Sequence, residues 1–128
     1  MFMCLPILGF SQHSDLKAIL IVGNLQDGTR SAIEDMEEIH TFFKNKNVKV
    51  STFYYPKTKW EDIVKQAKDA NFLVYAGHGV KWFDGKYGGF SLNKRISSKD
   101  IINDLKLKSN AINFFIALIL LKYSITMT

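Results

Sequence analysis

The stretch Asn71-Phe-Leu-Val-Tyr-Ala76, running straight into Gly77-His78-Gly79, decides how this chain is read. Its apolar residues are continuous, and it ends in a pair of glycines around a histidine. Lys17-Ala-Ile-Leu-Ile-Val-Gly23 is a similar run, rich in β-branched residues and also closed by Gly. Runs of this length read as strands buried on both faces, as in parallel sheets. Between them lie two helical patterns. Ser31 with Glu34 has the spacing of a capping box, and Ala32, Met36, Ile39 and Phe43 follow on one helical face. Asn45-Lys-Asn47 ends that helix. Val48–Tyr55 alternates in part, like an edge strand, and Pro56 stops it. Thr58 with Glu61 has the spacing of a second capping box, with Trp60, Ile63, Val64 and Ala67 as the apolar face behind it. Beyond Gly79, residues 80–95 read as a Gly- and Lys-rich loop in which Gly89-Phe-Ser-Leu92 has the look of a hairpin arm. Ser97-Ser98 caps a third helix with Ile101, Ile102 and Leu105 on its apolar face. Ala111–Leu121 is a last apolar run, a strand to about residue 117. Strands alternating with helices imply parallel pairing, because parallel neighbours need crossover connections.

A chain of 128 residues and 14.6 kDa has room for one domain and one core. The apolar fraction of 47% and charged fraction of 23% exclude disordered and low-complexity classes. The single cysteine, Cys4, excludes a disulfide scaffold and a Cys-rich zinc site. The net charge of +5 does not make a nucleic-acid surface, because acids and bases alternate along 15–108. Even the local group Lys81, Lys86, Lys94, Arg95 is broken by Asp84, and no nucleic-acid partner is expected. Residues 1–14 carry no Asp, Glu, Lys or Arg. Segment 1–12 resembles the apolar core and cleavage region of a signal peptide without its positive leader. An added strand or a disordered end is the competing reading. The segment is too short for a membrane span, which takes about 20 apolar residues. A secreted or periplasmic location follows if 1–12 is a signal peptide, and a cytoplasmic one otherwise.

Gly77-His78-Gly79 is the sharpest chemical feature. In open parallel sheets, sites lie off the carboxyl ends of the strands. A histidine there is exposed at the sheet edge, and the flanking glycines leave room for a substrate. The Gly79 N–H could face a developing oxyanion. The plainer alternative is a surface histidine in a Gly turn. Gly23–Gly28 stands where a phosphate loop would, yet it lacks the Gly-x-Gly-x-x-Gly pattern, and Thr29 occupies the position of a Walker lysine. A plain strand-to-helix turn is expected. His13 falls in the leader region and His40 beside the apolar face of the first helix. The three histidines have no metal-ligand spacing, and no metal or cofactor is expected. Glu34, Asp35, Glu37 and Glu38 read as surface charge on a helix flank. Asp84 is a candidate to read a basic substrate group, although Asp before Gly is usually a turn former.

The run Phe72-Leu-Val-Tyr-Ala-Gly-His-Gly79 resembles the histidine segment of caspase-like cysteine peptidases, the group that spans caspases, metacaspases and bacterial caspase-family proteins. The other parts follow in order. Ala18–Gly23 resembles the opening strand, and Ala32-Ile-Glu-Asp35 the Ala-x-x-Asp start of the first helix. Val48-Lys-Val50 followed by the helix after Thr58 resembles the second unit. Ile96–Leu107 resembles the helix before the nucleophile strand, and Asn110-Ala-Ile112 the start of that strand. The likeness covers about residues 17–112. It implies a three-layer α/β sandwich. Its mainly parallel four-stranded sheet would have the order 2-1-3-4, with helices on both faces. The caspase-like domain at 17–118 would be incomplete, followed by an irregular tail at 119–128. It also implies a Cys–His dyad that hydrolyses peptide bonds, with His78 as its histidine, Gly79 as the oxyanion-hole glycine, and a peptide or protein as substrate. The nucleophile is expected about 40–50 residues past the histidine. The window 118–128 holds Leu-Ile-Leu-Leu-Lys-Tyr-Ser-Ile-Thr-Met-Thr and no cysteine. Ser124 is no substitute, since a hydroxyl needs stronger activation than a thiol. The abrupt change after Ile112 reads as a truncated or frameshifted copy, inactive as given. The alternative is a non-catalytic pseudo-peptidase or interaction module on the same fold. Either form would leave a sheet edge open to self-association. A phosphate-binding α/β domain is disfavoured by the Gly23–Gly28 loop.

Overall fold

The computed structural model of the chain describes residues 15–81 and 87–117. Residues 1–12, read above as a signal-peptide remnant, with Cys4, and also His13, Asp84 and residues 119–128, lie outside the described residues.

The elements follow in the order β1 (Lys17–Val22), α1 (Thr29–Asn45), β2 (Lys49–Tyr54), α2 (Trp60–Ala67), β3 (Phe72–Gly77), β4 (Val80–Lys81), β5 (Tyr87–Gly88), β6 (Phe90–Ser91), β7 (Arg95–Ile96), α3 (Ser98–Asp104) and β8 (Ile112–Ala117). A 3-10 turn at Gln26–Gly28 leads into α1. β1 pairs in parallel with β2 on one side and β3 on the other, and β8 runs parallel to β3, giving the order β2-β1-β3-β8. Two small antiparallel hairpins, β4–β5 and β6–β7, interrupt the strand-helix alternation after β3. The second contains the expected Gly89–Leu92 arm. Gly89 has φ +90, and a Cβ there would strike the Ile96 carbonyl, so only glycine enters this hairpin.

The sheet is buried because each strand sends alternate side chains to opposite layers. Ala18, Leu20 and Val22 of β1, with Val74 and Ala76 of β3, pack against Ala32, Met36 and Phe43 of α1. Ile19, Ile21, Leu73 and Tyr75 pack on the other face against Trp60, Ile63 and Ala67 of α2, Phe90, Leu92 and Ile96 of the β6–β7 hairpin, and Leu105 after α3. Helices therefore cover both faces. The fold is α/β with a parallel sheet at its centre. Trp60 is buried, and its indole N–H donates to an Asp104 carboxylate oxygen at 2.9 Å, which ties α2 to α3. Asn71 fixes the start of two strands. Its side-chain oxygen takes the Lys17 N–H at 2.9 Å, and its carbonyl takes the Ile112 N–H at 2.9 Å. Among the described residues no helix is long and apolar enough to cross a membrane.

Three local expectations fail, each for a reason of its own. α1 begins at Thr29, so Ser31 lies inside the helix and the Ser31–Glu34 capping box does not form. The Thr29 hydroxyl instead accepts the Leu25 N–H at 2.9 Å and closes the preceding turn. Thr58 does not cap α2 either. It is buried, and its hydroxyl donates to the Asn93 side-chain oxygen, which leaves Lys59 at the cap position. Ile102 is 77% exposed and forms no part of the core, whereas Ile101 packs inward. Ser97 does cap α3 as expected, accepting the Asp100 N–H at 3.0 Å.

The burial pattern separates two isoleucines of equal size. Ile63 is fully buried in α2, so Ile63→Ala is expected to cost about 2–5 kcal/mol of unfolding free energy. Ile102→Ala should stay within about 0.5 kcal/mol of the unsubstituted chain. Urea unfolding followed by far-ultraviolet circular dichroism measures both.

Candidate functional site

Parallel pairing lines up the strand ends. Val22 stands beside Tyr54 on one side and Ala76 on the other, and Gly77 stands beside Ala117. The chain leaves β1 toward β2 and then returns across β1 to reach β3. The carboxyl ends of β1 and β3 therefore flank the point where strand order reverses, where α/β sheets open a crevice. His78 and Gly79 follow directly from β3 at this point.

Here the β1–β3 crevice is filled from within. Tyr75 is buried and stacks on Phe90, with ring centroids 4.1 Å apart and planes 24° from parallel. Its hydroxyl donates to the His78 carbonyl at 2.7 Å and accepts the Ser91 N–H at 2.9 Å. Two glycines make room for it. A Cβ on Gly77 would collide with the Tyr75 hydroxyl, and one on Gly23 would lie 2.8 Å from it and 2.5 Å from the Ser91 carbonyl oxygen. Burial pushes the Tyr75 phenol up to about 12, partly offset by the Ser91 hydrogen bond, so the phenol keeps its proton at physiological pH.

The same contacts settle the Gly23–Gly28 loop as a turn. The N–H of Gly23 goes to the Ala76 carbonyl at 2.9 Å, and that of Asn24 to the Ser91 carbonyl at 2.9 Å. The N–H of Leu25 goes to the Thr29 hydroxyl, and that of Gln26 to the Asn24 side chain at 3.0 Å. A phosphate cradle needs such donors turned outward. These are all engaged within the chain.

His78 is half-buried. Its Nδ1 is buried and has no hydrogen-bond partner among the described residues. Such exceptions are uncommon, because a buried polar atom left unpaired costs free energy. Among the described residues, nothing lies within 4 Å of where a Cβ on Gly79 would stand. The three glycines thus differ in kind: Gly23 and Gly77 are packed, and Gly79 is open.

The remaining polar residues singled out in the sequence lie elsewhere. His40 stays on α1, with its Nδ1 3.2 Å from the Glu37 carboxylate. Glu37 is more than surface charge, since it also accepts the Tyr54 hydroxyl from the end of β2. That hydroxyl first, and His40 second, hold the Glu37 carboxyl below the usual range, while burial and Glu37 raise the Tyr54 phenol. Both shifts leave the proton on Tyr54. An open cleft of about 580 Å³ lies beyond β2, lined among others by Thr58, Lys59, Trp60, Asn93 and Lys94. Sequence reasoning missed it because Asn93 and Thr58 are 35 positions apart. It also missed the role of Tyr75. The available signal was a lone hydroxyl in an otherwise apolar strand, three residues before the histidine.

No family model, curated protein or solved structure matches the chain.

The packed and open glycines give a direct test. Gly77→Ala is expected to destabilise the protein by about 1–3 kcal/mol through overpacking against Tyr75. Gly79→Ala should stay within about 0.5 kcal/mol. Thermal unfolding of the two variants in one buffer distinguishes them.

Proposed function

We propose that this chain has a caspase-like fold whose histidine, His78, stands at the dyad position, and that it is not itself a working peptidase. The observation that carries the reading is the placement of His78. It follows β3 at the strand-order reversal, its buried Nδ1 lacks a partner among the described residues, and β3 is paired up to Gly77↔Ala117 with the strand that would lead to a nucleophile. In a Cys–His dyad the imidazole assists formation of the thiolate. The thiolate attacks the scissile carbonyl, the imidazolium returns a proton to the leaving amine, and water releases the acyl group from sulfur. Gly79 would offer its N–H to the oxyanion. The residues after Ala117 are Leu118-Ile-Leu-Leu, so the acid–base partner is present in this chain without the sulfur it would serve.

A second reading, a non-catalytic interaction module on the same fold, is favoured by β8. This strand lies at the end of the sheet, and among the described residues nothing pairs with its outer side. Residues 109–121 carry no charge, and Ile112 is 49% exposed. Natural edges are usually guarded by Lys, Pro or a bulge. The occupant that fits an uncharged edge without like-charge repulsion is a second copy of the same strand.

Restoring a thiol tests the first reading. In a Cys4→Ser background, single cysteines replace Ala117, Leu118 or Ile119. At one of these positions the thiol pKa should fall by about one unit or more from its free value near 8.5, and His78→Ala should abolish the fall. The pH dependence of iodoacetamide alkylation measures this. Ordinary thiols at all three positions, indifferent to His78, would contradict the reading. The unsubstituted chain should cleave no peptide with Arg, Lys or Asp before the cut.

The edge is tested separately. The Ile112 N–H points to Asn71 in the neighbouring loop, so by strand alternation the Asn113 N–H faces the open side. Asn113→Pro should therefore remove an edge donor without cutting the β3–β8 ladder. Sedimentation is expected to show a dimer for the unsubstituted chain and a monomer for Asn113→Pro. A monomer in both would count against the edge as a docking surface.

A further inference from the structure

We propose that Tyr75 is a positioning residue that sets the plane of the His78–Gly79 peptide and so aims the Gly79 N–H, and that it does so as a strut braced by the β6–β7 hairpin. The inference rests on the reading of His78 and Gly79 as the site.

The phenol has one proton to donate and lone pairs to accept with. Ser91 N–H is a donor only, so the phenol oxygen must accept there. The His78 carbonyl is an acceptor only, so the phenol proton is committed to it. The direction of both bonds follows from chemistry alone. The high phenol pKa keeps that proton in place across neutral pH.

A peptide bond is planar and trans, so its C=O and N–H point in opposite directions. The His78 C=O and the Gly79 N–H belong to the same peptide. Holding the carbonyl inward against Tyr75 therefore turns the Gly79 N–H away from Tyr75. That is the orientation an oxyanion donor needs, and it exists before any substrate arrives. A glycine turn without the strut would be free to rotate this peptide.

The strut is braced at both ends. Gly23 and Gly77 admit the hydroxyl from two neighbouring strand ends, and Phe90 stacks on the ring. Ser91 gives its N–H to Tyr75 and its carbonyl to Asn24, so the hairpin is stitched across the exits of both β1 and β3. The hairpin that follows the histidine in sequence is thereby a structural partner of the histidine turn.

Tyr75→Phe removes the hydroxyl and keeps the ring. In the full chain, labelled for NMR, the Ser91 amide is expected to exchange about tenfold faster relative to the other strand amides. The His78 carbonyl carbon should shift upfield as its hydrogen bond is lost. Unchanged Ser91 exchange and an unchanged His78 carbonyl would overturn the strut, whatever the site does. If Tyr75→Phe does not fold, Ser91→Pro cuts the hairpin's bond while leaving the phenol. It should move the same carbonyl resonance, and failure to do so is equally adverse. The link to chemistry is read in the single-cysteine variant that shows the His78-dependent thiol. There Tyr75→Phe should slow acylation by an activated ester about tenfold and leave the alkylation pH profile in place. Equal acylation rates would overturn the oxyanion role. An ordinary thiol at every position, with the NMR changes intact, would instead sink the site reading and leave the strut standing.

Discussion

β1 lies between β2 and β3 in the plane of the sheet and between two apolar clusters above and below it, with Ala18–Val22 fully buried. No water reaches its backbone, so every N–H and C=O must be met by a neighbouring strand. That requirement fixes the register on both sides at once. Lys17 is level with Lys49, and Val22 with both Tyr54 and Ala76. The carboxyl ends of three strands are thus brought to one level by the enclosure of the middle one. Asn71 extends the same constraint to the starting end, where its side chain and backbone meet Lys17 and Ile112.

At that common level the chain turns outward, and polar backbone must be satisfied without a sheet partner. Tyr75 answers for much of this. It is a polar group on a buried strand, and a buried hydroxyl without partners would be costly. With the Ser91 N–H and the His78 carbonyl it is paired on both counts, and so are the loop groups it meets. The Phe90 stack keeps the ring from swinging away. Close packing on the inner side of the turn contrasts with Gly79, where among the described residues nothing lies within 4 Å of a Cβ position. A site needs both, a held backbone and an accessible face.

Much of this fold was legible before any coordinates. The Lys17–Gly23 and Asn71–Ala76 runs announced buried strands because enclosure on both faces leaves no polar positions. The faces of α1 and α2 were legible for a different reason, the helical spacing of their apolar residues, as Met36 and Ile63 show. The failures are all at element ends and in the connection after β3. Thr58 has the chemistry of a helix cap, but Asn93 competes for its hydroxyl from another part of the chain. Ser31 has the spacing of a cap, yet the turn before it closes early through Thr29. Ile102 looked like core because it shares a helix with Ile101, and a seven-residue helix that packs through Ile101 and the following Leu105 does not bury every apolar residue. His78 was legible as a candidate through its flanking glycines. The state of its Nδ1, unpaired among the described residues, and the two hydrogen bonds of the Tyr75 hydroxyl were not, since both depend on what the fold brings near.

The two edges of the sheet show how differently one chain can treat the same problem. β2 has Lys49 and Thr52 exposed along its length and Pro56 just past its end. These are ordinary defences against strand addition. β8 has none of them within its span, and uncharged sequence runs on past it to Leu121. A strand composed in this way belongs in the interior of a sheet, since an apolar strand flanked on both sides costs nothing in solubility while an exposed one invites pairing. The composition of β8 therefore asks for a neighbour on its outer side. That neighbour would stand beside the strand that pairs with β3 up to Gly77↔Ala117, one residue short of His78.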